Sequence, residues 1–557
     1  MHNFKKNNSQ PPRRTMDGFL SNAPGRQQQR GDIWPSKREA QAHAVSSGNV
    51  DDFKRAEGFH PTDRTQTEIS IPDKNSKAAK AEKKAEGSLL HMTLPGGSLN
   101  RKDRKRLKNK KQDKWSKIRK WSFRTSLAVA GLVLILGGFL LFKGYLNLNR
   151  VFKGGGNAAA LNDTVSPDQL RGEGDGRINV LLLGRGGEGH AGADLTDTIL
   201  VASIDPVNKT AGIVSIPRDL WVTASGQGAT KINAVFANAK NKALRSDKDK
   251  AKAEAAGVDA LKKTVSDVLG LPIHYYTMID FAGFKQAVDI VGGVDIDVPA
   301  DLAVSEHLWD STTHKPYYLQ VPAGQQHFDS TKALYFARSR KTSPRGDFDR
   351  SERQRLFITA LSQKVLSAGT YTNPVKITQL MDAFGSHVTT DFSVGDAVRL
   401  MQIAKEIPSN SIASIGLTDL PNPLAITATV DSQSVVVPKA GVGNYGPIQN
   451  FIRSKLPDGY IIKEAAKLKL LNGTTVPGMA TTKADELKSY AYNVVIIGDA
   501  PTKTYDKTVL VDMTNNKPYT KNYLEKRFGV KAVSKLPDDT IQPEGADFVI
   551  ILGSNER

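Results

Sequence analysis

Residues 178–220, INVLLLGRGGEGHAGADLTDTILVASIDPVNKTAGIVSIPRDL, decide how the whole chain is read. The apolar run Ile178–Leu183 has the length of a buried strand. A glycine-rich loop with acids follows, then a second strand expected over Thr198–Ile204 and a turn at Asp205-Pro206. A third strand, Ala211–Ile216, ends on Pro217-Arg218-Asp219. Gly184, Gly186 and Gly189 satisfy the G-x-G-x-x-G pattern of dinucleotide sites. That pattern holds a pyrophosphate only where a helix opens behind it. Here a β-branched strand follows, so the dinucleotide reading fails.

The same stretch places Glu188, His190, Asp194 and Asp197 on a flexible loop, with Arg218 and Asp219 at a strand end. Loop carboxylates suit a hard cation such as Mg²⁺, and an arginine fork suits phosphate oxygens. A solvated acidic loop with one arginine–aspartate pair would use the same residues, and spacing does not choose between the two.

The chain has 557 residues, more than one domain's worth, and no cysteine. Disulfides, thiolate metal sites and a cysteine nucleophile are therefore excluded. The formal charge is +20, but 13 Lys/Arg against two Asp crowd into residues 101–124, a local net of +11. This strip stops at SLAVAGLVLILGGFLLF, Ser126–Phe142. Those 17 residues would span about 25 Å as a helix, and the flanking turns bring it close to the ~30 Å hydrocarbon core. With the basic strip before it, the positive-inside rule puts the N-terminus in the cytoplasm and everything after Tyr145 outside. The run begins too far along the chain for a cleaved signal peptide.

The expected organisation is a disordered basic cytoplasmic tail over 1–124, a transmembrane helix over 125–145 and a Gly/Asn/Asp-rich linker over 146–176. The tail favours anionic lipid head groups, at ~1 kcal/mol per basic residue near the surface. It has few aromatics to stack on bases, so no nucleic-acid partner is expected. Residues 177–460 alternate strands and helices, the signature of an α/β domain with a central sheet flanked by helices. Helices are expected around AVFANAK and over Ala251–Leu269 and Phe281–Val291, and strands over His274–Ile279 and Val294–Val298. Residues 461–557 read as a small C-terminal α/β domain without a catalytic cluster.

A second basic cluster is ALYFARSRKTSPRGDFDRSERQRLFI, Ala333–Ile358. In an extended segment Arg338 and Arg340 would face one side. Arg350 and Gln354 would share a face of a helix capped by Asp347 or Asp349. Three arginines and a glutamine around one cavity suit a pyrophosphate. A salt-bridged surface helix is the alternative.

The motifs NVLLLG, LTDTILVASIDP, SIPRD, KIN, IDFAGFKQAVDIVGGVDIDVP, ALYFARSR and DFDRSERQ occur in this order, and together they resemble the LytR-CpsA-Psr family over about residues 177–460. The resemblance implies an enzyme outside the membrane that attaches an anionic glycopolymer to peptidoglycan. It would take the glycan from a polyprenyl-pyrophosphate carrier and leave a phosphodiester on a peptidoglycan hydroxyl. It also implies a central sheet flanked by helices, an apolar tunnel for the polyprenyl tail, and a pyrophosphate held by arginines and Mg²⁺. Carried over, the pyrophosphate residues are Arg218, Arg338, Arg340, Arg350 and Gln354, and the metal aspartate is Asp197. Arg218, Asp219 and Arg340 would serve catalysis, Asp219 as a partner of Arg218 or as a base. The family's usual first aspartate is Gly186 here, and its usual arginine before the metal aspartate is Leu195. A substitute metal ligand must then come from the loop, Asp194 first and Glu188 second. The region after Ile461 is similar to a small C-terminal domain often appended in this family. Hydrolysis of the same pyrophosphate lipid, or a non-catalytic wall-binding scaffold, are the alternative functions.

Overall fold

Ile178–Arg185 (β1) is the strand expected from the apolar run, with an antiparallel neighbour on one side and a parallel one on the other. The computed structural model describes residues 152, 154–190, 192–310, 315–367, 379, 385 and 387–556. The tail over 1–124 and the transmembrane helix over 125–145 lie outside the described residues. Among the described residues no helix is long and apolar enough to cross a membrane.

Thr196–Asp205 (β2) and Thr210–Ser215 (β3) continue from β1 as an antiparallel meander. Trp221–Ala224 (β4) and Gly228–Lys231 (β5) form a hairpin, followed by the helices Ile232–Ser246 (α1) and Lys250–Leu269 (α2). The Asp249 carboxylate caps α2 by accepting from the backbone N–H of Ala251 and Lys252, and Gly270 closes it at φ 67°. Tyr275–Asp280 (β6) returns parallel to β1 and leads into Phe281–Val291 (α3). Val294–Val298 (β7) pairs with Gly324–Phe328 (β10), and Val304–Asp310 (β8) with Lys315–Val321 (β9). Next come Ser330–Arg338 (α4), Asp347–Leu366 (α5), Val388–Thr390 (β11), Val394–Lys405 (α6) and Ile412–Gly416 (β12). Ala425–Val430 (β13), Gln433–Pro438 (β14), Gly446–Lys455 (α7) and Gly459–Glu464 (α8) complete the region.

The main sheet is mixed, in the order β11-β6-β1-β2-β3-β12. Side chains alternate across its faces. Leu181, Leu183, Ile199, Val201 and Val214 face Phe236, Val258, Leu261, Val265 and Ile452 of the helices α1, α2 and α7. Each such buried side chain contributes about 1.5–3 kcal/mol, so a slipped register is costly. On the other face Val180, Ile204 and Tyr275 pack with Phe392 and Ile403, and Leu182, Ala202, Ala211, Ala397 and Leu400 stay only partly buried. The α/β expectation, a sheet flanked by helices, is what the domain shows.

A second sheet, β16-β15-β18-β17, is built from Lys467–Asn472 (β15), Asn493–Asp499 (β16), Val509–Asp512 (β17) and Phe548–Leu552 (β18). Met479–Ser489 (α9) and Pro518–Phe528 (α10) accompany it. All five residues of β18 are buried, as its unbroken apolar sequence requires of a central strand.

The linker expected over 146–176 is corrected in its described part. Ala158, Ala160 and Leu161 belong to the core beneath α6, while Val165 and Leu170 belong to that of the C-terminal domain. The buried Asp458 carboxylate accepts from the N–H of Gly174 (3.0 Å), Gly176 (2.9 Å) and Tyr460 (2.9 Å) and from the Tyr523 hydroxyl (3.0 Å). Burial pushes this carboxyl up against those hydrogen bonds. The segment's few apolar residues sit on two single-turn 3-10 helices, 159–161 and 167–169, too short for a periodic pattern.

Candidate functional site

Asp197 stands at the start of β2, where the β1–β2 ladder shifts register between Gly184 and Arg185. The glycine-rich loop leaves the sheet at that irregularity. Asp197 Oδ1 accepts from Arg218 Nη1 (2.9 Å) and Asn233 Nδ2 (3.2 Å). Arg218, just past β3, also lies 3.6 Å from Asp219 Oδ2 and 3.5 Å from Asp347 Oδ1. Burial alone would lower the Arg218 pKa, but Asp197, Asp347 and Asp219 together raise it. Asp219 is held from its other side by Lys231 Nζ at 2.9 Å.

Arg350 approaches from α5. Its Nη2 donates to the Asp197 carbonyl (3.3 Å) and to Asp347 Oδ2 (3.0 Å). Burial, helped by the positive charges of Arg218 and Arg340, pushes Arg350 down to about 10 in spite of Asp347 and Asp197. Neither Asp347 nor Asp349 is the cap expected of them. Gly346 precedes α5 at φ 55°, and both acids sit in its first turn, where the helix dipole favours negative charge. Asp347 instead bridges Arg218 and Arg350, while Asp349 pairs with Arg345 Nε at 2.7 Å.

The extended segment expected at Arg338 and Arg340 is also corrected. Arg338 is the last residue of α4, and Arg340 lies beyond it. The Arg338 guanidinium sits 4.4 Å over the Phe281 ring, and His190 meets that ring edge-on at 5.2 Å. Burial lowers the Arg338 pKa, while Tyr335 and Asp197 oppose the shift. Burial and then the Arg338 charge lower His190. Gln354 Nε2 donates to the Ala337 carbonyl (3.1 Å), so here it braces the end of α4. The charges of Arg218, Arg340 and Asp197 are all felt at Arg350, and that of Asp197 at Arg338. Two of the expected arginines, Arg218 and Arg350, thus bond to Asp197, while Arg338 feels the charge of that aspartate and Arg340 is felt at Arg350.

Several participants were missed in the sequence. Asn233, in the KIN motif, donates from its side-chain amide to Asp197, and Asp347 pairs with Arg218 and Arg350. Arg353, fully buried, donates from Nη2 to the Ser339 carbonyl, and the Ser339 hydroxyl donates to Glu306. Arg355 is bidentate on Asp419 (2.9 and 2.8 Å) and bonds Ser215. Arg353 and Arg355 were not singled out in the sequence, yet both are buried, as is Arg350 on the same helix.

Arg350 Nε is buried without a hydrogen bond, and Arg218 Nε, also buried, has only the longer ion-pair approaches of Asp347 and Asp219. Such donors on two converging arginines suit a multivalent anion, since leaving their hydrogen bonds unmade is costly. For Mg²⁺, the partial exposure of Asp197 and the phosphate-like cradle beside it fit a cation that needs one or two carboxylates and completes its shell with phosphates and water. Asp194 fits less well. Its Oδ1 meets two cations, Arg185 Nη1 (3.2 Å) and Lys240 Nζ (2.8 Å), which Glu254 shares, whereas Asp197 Oδ1 meets one cation and the neutral Asn233 amide. Glu188 is exposed. Among the described residues no group of three or more His, Cys, Asp or Glu could hold a metal by itself.

A profile of the LytR_cpsA_psr family matches residues 148–439, and one described as LytR cell envelope-related transcriptional attenuator matches 465–555. The chain is 30% identical over 308 residues to the polyisoprenyl-teichoic acid–peptidoglycan teichoic acid transferase TagV of Bacillus subtilis, covering 52% of this chain and 68% of that protein. It is 27% identical over 384 residues to the cell wall biosynthesis protein LcpA of Corynebacterium glutamicum, covering 62% and 68%. The crystal structure of B. subtilis TagV aligns at 27% identity with a TM-score of 0.38, covering 50% of this chain and 97% of that one.

Proposed function

The chain belongs to the LytR-CpsA-Psr family, and from that premise we propose that residues 177–460 transfer an anionic glycopolymer from a polyprenyl-pyrophosphate carrier to a peptidoglycan hydroxyl. Its relatives are named as teichoic acid transferases acting on polyisoprenyl-linked polymer and peptidoglycan. The bonds that Arg218 and Arg350 make to Asp197, with the charges of Arg338 and Arg340 felt at the same site, carry the reading.

In the reaction the acceptor oxygen bonds to the glycan-side phosphorus, the bond to polyprenyl phosphate breaks, and the hydroxyl proton passes to solvent. Arg218 and Arg350 would turn their Nε–H groups to the pyrophosphate, meeting charge as it shifts to the leaving phosphate. Arg338 and Arg340 would add charge from the end of α4. Asp219, between Arg218 and Lys231, is suited to orienting Arg218. Bound at Asp197, Mg²⁺ would supply further neutralisation of phosphate oxygens. Asp194, held by Arg185 and Lys240, is better suited to anchoring the loop than to binding metal. The polyprenyl tail would lie along the partly buried Leu182, Ala202, Ala211, Ala397 and Leu400.

Residues 126–142 would anchor the protein as a single-pass type II membrane protein with the catalytic domain outside. A reporter active only after export, fused behind Arg557, should be active; a cytoplasmic signal there removes the access to peptidoglycan that the reading needs. Purified full-length protein should move glycopolymer from its polyprenyl-pyrophosphate carrier to peptidoglycan. Phosphate release at the same rate without acceptor would instead identify a hydrolase.

A further inference from the structure

We propose that the outward face of the β8–β9 hairpin is a saccharide-binding platform that holds the acceptor glycan; this deepens, and rests on, the transferase reading. The two strands pair His307 with Tyr318, Trp309 with Pro316 and Ser305 with Gln320. Opposed residues, and residues two apart, share a face, so these six lie on one side of the ribbon. All six are exposed, Trp309 at 47% and Tyr318 at 49%. The His307 and Tyr318 rings stack at 4.5 Å and 29°, and Ser305 Oγ lies 2.7 Å from the Tyr318 hydroxyl. The other face is core: Val304, Leu319 and Val321 are buried and Leu308 and Tyr317 packed against them.

Single exposed apolar residues are ordinary, but three rings on one face of a braced ribbon are a patch that needs a reason. The chemistry of the face selects its occupant. Rings present flat apolar surface, and the hydroxyls, imidazole and amide between them offer donors and acceptors. A sugar ring has the matching character, a C–H face edged with hydroxyls. A membrane interface also uses Trp and Tyr but adds lysines or arginines for the anionic head groups, and none of these six residues is one.

The hairpin is also tied to the transfer site. Glu306, between Ser305 and His307 but on the inner face, accepts from the Ser339 hydroxyl, and Ser339 separates Arg338 from Arg340. A glycan on the outer face would lie one strand's thickness from the segment that carries two of the pyrophosphate arginines.

The test uses full-length protein in detergent micelles with a soluble probe, N-acetylglucosamine tetramer, and with purified peptidoglycan. Trp309→Ala and Tyr318→Ala should each weaken binding of both about tenfold, the size of one well-packed aromatic contact. Val495→Ala, an exposed apolar residue on β16, should not. Wild-type glycan affinity in both hairpin variants overturns the proposal. So does quenching of Trp309 fluorescence by brominated lipid rather than by saccharide, the fluorescence being taken as the difference between wild type and Trp309→Phe. Binding is read without turnover. A protein that transfers nothing yet loses glycan affinity in these variants refutes the transferase and leaves the platform standing.

Discussion

Arg218 Nη1 donates to Asp197 Oδ1 at 2.9 Å, so the proposed phosphate arginine and the proposed metal carboxylate are partners of one another. Arg350 joins them through the carbonyl of the same aspartate. One residue therefore positions guanidinium groups from the end of β3 and from α5, the first through its carboxylate and the second through its backbone carbonyl, so a side-chain substitution there frees Arg218 and leaves the acceptor that Arg350 uses.

Arg218→Lys keeps the charge and loses the fork that reaches Asp197 and the Nε–H beside Asp347. Transition-state stabilisation should fall by about 2–4 kcal/mol, as for removal of one oxyanion donor. Steady-state kcat/KM with carrier-linked glycan checks it, with the exposed Lys507→Ala as the unaffected control. Equal activity in both would return Arg218 to a structural ion pair.

Asp197→Ala should remove Mg²⁺ binding as well as turnover, because it is the carboxylate best placed beside the cradle. Asp194→Asn should leave the Mg²⁺ affinity unchanged, while weakening the hold of Arg185 and Lys240 on the loop. Titration calorimetry with Mg²⁺ separates the two. A larger loss of affinity in Asp194→Asn than in Asp197→Ala reverses the assignment.

Arg353 holds the Ser339 carbonyl from a fully buried position, its pKa pushed down to about 10 chiefly by burial. Arg353→Met should cost about 2–4 kcal/mol of stability, the range for breaking a buried charged hydrogen-bond network. It should also raise KM for the carrier lipid, since Arg338 and Arg340 flank Ser339. Arg353→Lys, which can still donate once, should recover part of the KM effect. A fall in Tm with KM unchanged in both would confine Arg353 to packing.

Asp458 gives a pH dependence with a defined sign. Its folded pKa lies above the ordinary carboxylate value because burial disfavours the charged form. The native state therefore binds the proton more tightly than the unfolded chain. Stability from this group is fully present below the unfolded pKa and is lost as pH rises through the folded one. Asp458→Asn should flatten that part of the stability–pH curve. Denaturant unfolding at a series of pH values measures it, and an unchanged slope means other groups set it.

The first meander was legible because its apolar runs have the length of buried strands, and their burial is nearly continuous. β1, β2 and β3 begin within two residues of the expected positions, and α3 and β7 match theirs. The arginines were legible as residue types but not as geometry. Arg338 and Arg340 were paired only on their two-residue spacing, which holds for an extended segment, while tertiary bonds from Gln354 and Arg353 hold the end of α4. Asp347 was read as a cap because helix starts favour acids, and the two arginines that recruit it come from elsewhere in the chain and from the next turn. Glu306 and Asn233 carry no local signal, since their partners lie 33 and 36 residues away.

Val165 and Leu170 share a core with Leu468, Leu524 and Phe548. In the order of synthesis the early residues wait for the late ones: at 5–20 residues per second, roughly 20–70 s separate Leu170 from Leu524. Through that interval the part of the 159–176 strap around Val165 and Leu170 has no surface on which to dock, and under the proposed topology it is exported in that state. Chaperones or proteases outside the membrane would meet it there. The C-terminal domain therefore acts on its neighbour as a late clasp, and a chain cut before residue 467 would leave the strap without its partner however well the catalytic sheet had formed.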